Sequence, residues 1–113
     1  MKSAQEMFEE LGYEQGKCDA YIWYYKKEED NGILYRYSIL FKNKWFSADQ
    51  NSTDHYEDGG MLIDIPTFKA IYKHIHFGLV SKEFMAESVY EVMNIDMPTF
   101  KAIQKQLEEL NWI

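Results

Sequence analysis

The chain has 113 residues, of which 46% are hydrophobic and 17% aromatic, with one cysteine and a formal net charge of −7. This composition supports one hydrophobic core and excludes a disordered chain, and a lone cysteine excludes an internal disulfide. No apolar run approaches the roughly 20 residues of a membrane span, and the scarcity of Lys and Arg argues against direct nucleic-acid binding.

The N-terminal segment carries a helix start signal. Ser3 followed by Glu6 is the capping-box pattern, and Gly12 is placed to end the helix. The apolar residues between them recur at helical spacing: Ala4, Met7, Phe8 and Leu11. An acidic helix at this position differs from the apolar stretch of a secretory signal, so we expect a cytoplasmic protein.

The next segment alternates with a period of two, which is typical of β-strands. We predict strands in residues 21–25, 33–41 and 45–47, with a tight turn at Asn31-Gly32, where both residues tolerate positive φ. Apolar residues occur on both faces of these strands. The sheet is therefore either covered on two sides or exposes an aromatic patch.

Residues 50–60 are polar and predict a surface loop. From Lys44 to Lys69 the chain has five carboxylates and no intervening cation: Asp49, Asp54, Glu57, Asp58 and Asp64. We predict that the first four bind a protein partner with a basic surface, because charge complementarity steers association. The alternative is that the acidity only keeps an aromatic-rich protein soluble.

An eleven-residue phrase occurs twice: residues 63–73 and 95–105 are identical except at their third and tenth positions. Each copy predicts a helix with a proline in its first turn, and Asp64 or Asp96 just ahead of it either caps the helix or favours its positive end. We predict a short strand before each copy, at residues 61–63 and from Val89, although residues 82–93 also fit a helix.

These elements predict an α+β fold: an N-terminal helix, a small antiparallel sheet of three to four strands, and two repeated helices packed on the sheet. We expect a single domain, residues 1–113. Its first part, residues 1–60, contains the helix, the meander and the acidic loop, and residues 61–113 contain the duplicated strand and helix unit.

Two terminal segments, residues 4–13 and 102–112, resemble small uncharacterised proteins from phages and prophages of Gram-positive bacteria. This resemblance implies an opening helix, an antiparallel sheet and a closing helix that ends near a tryptophan. The chain departs from the pattern at Asn111, where glycine is usual, and in its doubled helical unit. The resemblance implies a mobile-element protein in the host cytoplasm that binds a host protein, such as a defence nuclease.

The function that we expect from the sequence is non-enzymatic protein binding, without a metal or cofactor and without membrane association, and with inhibition of a host defence protein as its role. Three alternatives stay open. The carboxylates could mimic nucleic acid in a basic groove, the chain could form a homodimer or other homo-oligomer, or His55 and the loop acids could hold a metal for a small hydrolase.

Overall fold

The computed structural model describes residues 1–52, 60–70 and 95–113. The chain divides into two compact units, one formed by Met1–Leu11 with Asp64–Ile113 and the other by Gly12–Ile63. The predictions for residues 71–94, including the strand from Val89, lie outside the described residues. The single domain and the packing of both helices on the sheet stay predictions.

The first unit begins with helix α1, Ala4–Glu10. Its predicted capping box is confirmed: the Ser3 hydroxyl accepts from the Glu6 amide at 3.1 Å, and the Glu6 carboxylate accepts from the Ser3 amide at 3.3 Å. After the cap residue Leu11, Gly12 adopts a φ of 94°, which glycine reaches without steric penalty. The sequence therefore encodes both ends of α1 locally.

The two copies of the repeated phrase start in the same way. Asp64 accepts from the Thr67 amide and Asp96 from the Thr99 amide, both at 2.9 Å. The first copy is helical over residues 65–70, here called α2, and the second forms α3, Met97–Glu109. Each of these hydrogen bonds joins residues that are only three apart in the sequence. The same local sequence therefore gives the same cap in both copies.

The equivalent phenylalanines of the two copies pack on each other. Phe68 and Phe100 are both fully buried, with ring centroids 5.5 Å apart and ring planes 26° apart. On α3, Ile103 and Leu107 are also fully buried, while Leu110 is half-buried. The Glu109 carboxylate accepts from the Ala4 amide at 2.7 Å, so α3 also satisfies the start of α1.

The second unit is an antiparallel sheet of five strands in the order β1-β2-β3-β4-β5. The strands are β1 Glu14–Lys17, β2 Tyr21–Asp30, β3 Ile33–Lys42, β4 Trp45–Ser52 and β5 Gly60–Asp64. The prediction of three to four strands was wrong because β1 was not anticipated. Its residues, Glu-Gln-Gly-Lys, have low strand propensity, and the pairing with β2 makes them a strand.

Two tight turns set the register of the meander. Asn31 and Gly32 have φ values of 52° and 80°, and Asn43 and Lys44 have values of 52° and 61°. Positive φ at both central residues matches the twist of the flanking strands, so the predicted turn at Asn31-Gly32 is confirmed.

One side of the sheet carries the core of this unit. Tyr24, Phe41 and Phe46 are at most 1% exposed, and the Phe41 ring lies 6.2 Å from Tyr24 and 5.9 Å from Phe46. The Tyr24 hydroxyl accepts from the Gln15 side chain at 3.0 Å, which satisfies a buried polar group. The contact between Tyr24 and Phe41 is edge-to-face, the arrangement that ring quadrupoles favour.

Candidate functional site

The side of the sheet opposite this core carries large apolar residues that are only partly covered. The register pairs Trp23 with Leu40 and Tyr25 with Ser38, which places these residues on the same side. Among the described residues on this side of β1–β4 none is buried, and Tyr25 is 39% exposed. We call this surface the aromatic face. Its large apolar members are Tyr21, Trp23, Tyr25, Leu34, Leu40 and Trp45.

Trp23 is held flat across a glycine of the neighbouring strand. Gly16 pairs with Trp23, and a Cβ atom added at Gly16 would lie only 2.0 Å from Cε2 of the indole. The Tyr21 ring lies 5.2 Å from the indole, and Lys42 Nζ lies 5.7 Å from the centre of the Tyr21 ring. These contacts orient the indole, so it presents a preorganised apolar surface.

A row of polar residues crosses the aromatic face next to Trp23. It consists of Glu14, Tyr25, Ser38 and Asp49, one from each of the first four strands, and we call it the acidic row. A hydrogen bond to the Glu14 carboxylate is the main cause that raises the pKa of Tyr25 above 10.0, with the negative charge of Glu14 second and desolvation third. The Glu14 carboxylate therefore favours the protonated form of the Tyr25 phenol.

The next row along the strands has the opposite charge. Lys27, Arg36 and Asn51 pair across β2, β3 and β4, and we call them the basic row. Lys27 and Arg36 are exposed. Consecutive rows on one side of a sheet lie about 6.8 Å apart, so carboxylates and cations alternate on this surface over a short distance. Within β1–β4 the charges of the face balance: Glu14, Glu29 and Asp49 against Lys27, Arg36 and Lys42.

The four predicted partner-binding residues have different outcomes. Asp49 is an exposed residue of β4 on the aromatic face, paired with Ser38. Asp54, Glu57 and Asp58, like His55, lie outside the described residues. The predicted loop of residues 50–60 was wrong at its start, because residues 50–52 continue β4 opposite Tyr37, Arg36 and Tyr35.

Sequence reasoning did not identify Glu14 and Arg36 as members of the surface. The available signal was the alternation in residues 21–25 and 33–41, which suggested an aromatic patch as one of two alternatives. The partial exposure of Tyr25 and Trp23 supports that alternative. Only the register shows which charges lie beside the patch, because the residues in one row come from four separate strands.

Residues 1–52, 60–70 and 95–113 contain no group of three or more His, Cys, Asp or Glu side chains arranged to hold a metal ion. In these ranges no helix combines the length and the apolar character that spanning a membrane requires. Comparisons with protein-family models, with curated proteins and with solved structures find no match to this chain.

Proposed function

We propose that this chain is a non-enzymatic protein-binding module that contacts its partner through the aromatic face. The observation that supports the proposal is that partly exposed Trp23, Tyr25 and Trp45 share one side of the sheet with the acidic row and the basic row. Trp, Tyr and Arg are the residues that most often dominate the free energy of protein association. Mixed charge around an aromatic centre suits the core and rim of an interface.

The rigidity of the aromatic centre favours binding. An aromatic side chain buries about 150–250 Å² when a partner covers it completely. Trp23 is already packed against Gly16 and Tyr21, so little side-chain entropy is lost on association. Much of the binding free energy should therefore come from Trp23 and its neighbours.

Asp49 connects this surface with the acidic segment that follows β4. It is the described member of the predicted binding set, and it lies in the acidic row with Tyr25. A partner with a basic group opposite Asp49 and an acidic group opposite Arg36 would complement the face. Charge of this kind increases the association rate and selects among partners, and its effect weakens with added salt.

The test uses two variants and one matched control. Proteins captured by the immobilised chain from a Gram-positive bacterial lysate are purified, and the Kd of each is measured by titration calorimetry for Tyr25→Ala, Asp49→Lys and Glu108→Lys. Glu108 is an exposed residue of α3, so its reversal makes the same charge change elsewhere. We expect the first two variants to bind about ten-fold or more weakly, a loss of at least about 1.4 kcal/mol, and the control to bind normally. Equal affinity for all three would reject the aromatic face as the binding surface.

The narrower role, inhibition of a host defence protein by a mobile-element product, is part of this proposal and rests on the resemblance of the terminal segments. Competition between the chain and DNA for a captured nuclease would separate nucleic-acid mimicry from binding at another site. Stoichiometric metal in the purified protein, together with hydrolytic activity lost on chelation, would instead support the small metal-dependent hydrolase.

A further inference from the structure

The charge pattern of the aromatic face is complementary to itself. The acidic row and the basic row are neighbours of opposite sign. Consider a two-fold axis that lies between these rows, in the plane of the interface and perpendicular to the strands. Rotation about this axis places the acidic row of one copy over the basic row of the other. We infer that the occupant of the aromatic face is a second copy of this chain, an inference that rests on the proposed function.

The same rotation pairs further residues within and beyond the two charged rows. Strands β2 and β3 each lie over their own copies, so Tyr25 faces Lys27 and Ser38 faces Arg36 of the other copy. Outside the two rows, Leu40 faces Leu34 and Trp23 faces Glu29. A Tyr ring opposite a Lys is a favourable cation–π arrangement, and two Leu side chains form an apolar contact. Because the operation is two-fold, every contact occurs twice, as in other isologous dimers.

Ion pairs in this arrangement form between neighbouring strands of the two copies. The position over Asn51 is taken by Asp49 of the other copy, which is one strand away from Arg36. Facing sheets pack about 10 Å apart and strands lie about 4.8 Å apart, so the long Arg side chain can reach that carboxylate. Lys27 has the same relation to Glu14 of the other copy.

The size of the face fits a weak dimer. Strands β2 and β3 have 10 residues each, β4 has 8 and β1 has 4. At about 3.3 Å per residue and about 4.8 Å per strand, the face covers roughly 500 Å². Interfaces that bury less than about 600 Å² per partner belong to weak, transient complexes. The net charge of −7 does not oppose this locally, because the charges of β1–β4 on the face balance and distant charges are screened beyond about 8 Å.

Sedimentation equilibrium with charge-swapped variants tests the inference. We expect the unmodified chain to pass from monomer to dimer between about 1 μM and about 1 mM, the range for a small interface. Arg36→Glu and Asp49→Lys should each weaken dimerisation ten-fold or more, since each places like charges opposite one another. An equimolar mixture of the two single variants should form a heterodimer. In that heterodimer the Asp49 retained by the first variant meets the Arg36 retained by the second, and the two substituted side chains meet with opposite charges.

The mixture separates contacts between copies from contacts within one copy. Within each single variant, the side chains at positions 36 and 49 carry the same charge, and mixing the two variants does not change this. Only contacts between the two chains can therefore restore association. Glu108→Lys is the control for charge alone and should dimerise normally, and far-UV circular dichroism checks that every variant is folded. A chain that stays monomeric over the whole range overturns the inference and leaves the proposed binding of another protein to its own calorimetric test. A dimer that both face variants leave intact, or two variants that do not associate when mixed, also overturns it.

Discussion

The contact between Trp23 and Gly16 predicts an unusually specific response to a single methyl group. In Gly16→Ala, the new Cβ would lie 2.0 Å from Cε2, 2.1 Å from Cζ2 and 2.5 Å from Nε1 of Trp23. Carbon atoms in contact are separated by about 3.5–4.0 Å, so the indole has to move by about 1.5–2 Å. Because Trp23 is half-buried, its ring can move outward and lose its packing on β1.

The expected loss of stability follows from this displacement. Overpacking of this kind costs about 1–3 kcal/mol. When Trp23 is first replaced by alanine, the same Gly16→Ala change should instead be neutral or stabilise by about 0.4–1 kcal/mol, because alanine restricts the unfolded chain. The backbone permits this reversal, since the described glycines with positive φ are Gly12 and Gly32 and Gly16 is not among them.

Urea unfolding, followed by far-UV circular dichroism, measures this double-mutant cycle. With a slope of about 1–3 kcal/mol per molar urea, the single Gly16→Ala change should shift the midpoint by on the order of 1 M. Gly32→Ala is the matched control: its φ is +80° and no atom lies within 4 Å of the added Cβ, so it destabilises through the backbone alone. Additive effects of Gly16→Ala and Trp23→Ala, or a coupling no larger than that of Gly32 with Trp23, would refute the packing argument.

Three further predictions concern other parts of the described chain. Phe100→Ala should destabilise the protein by about 3–5 kcal/mol in urea unfolding, because Phe100 is fully buried against Phe68, whereas a loss below about 1 kcal/mol would contradict this packing. Hydrogen bonds from Thr67 lower the pKa of Asp64 from 3.8 in the folded state. The stabilisation that ionised Asp64 gives the folded protein is therefore fully present above pH 3.8, and it is lost as the pH falls through the lower folded-state pKa. When the urea unfolding midpoint is measured against pH, Asp64→Asn should lose less stability in acid than the unmodified chain. Identical profiles for the two proteins would argue against this hydrogen bond. The pKa of Tyr25 is raised above 10.0, so the stabilisation that its protonated phenol gives the folded protein is present below pH 10 and lost at higher pH. Glu14→Gln should lower this pKa, measured by ultraviolet titration as the difference from Tyr25→Phe. An unchanged titration would contradict the Tyr25–Glu14 hydrogen bond.

The turns and helix starts were predictable because their interactions are local. The capping box joins Ser3 to Glu6, and the cap of α3 joins Asp96 to Thr99, both over three residues. The turn at Asn31-Gly32 depends only on the φ values that those two residues tolerate. Short-range hydrogen bonds and backbone sterics are encoded in adjacent residues, so sequence reasoning identifies them without knowledge of the fold.

Strand β1 and the second half of β4 were not predictable from propensity. The Gly16 segment forms a strand because β2 offers backbone partners and Trp23 covers the glycine. Residues 50–52 are polar, yet they extend β4 because β3 supplies partners as far as Tyr35. Hydrogen bonds to a strand that is distant in sequence outweigh weak local preference.

In the candidate site, too, some features are encoded by adjacent residues and others depend on which distant segments meet. The sequence by itself determined that β2 and β3 would carry apolar residues on both sides, and that the two helical repeats would start alike. Only the tertiary structure decided that Asp49 shares a row with Tyr25 and Glu14, and that Phe68 packs on Phe100. The physical reason is that register and packing depend on which distant segments meet, and a shift of one residue would move every side chain of a strand to the other side of the sheet.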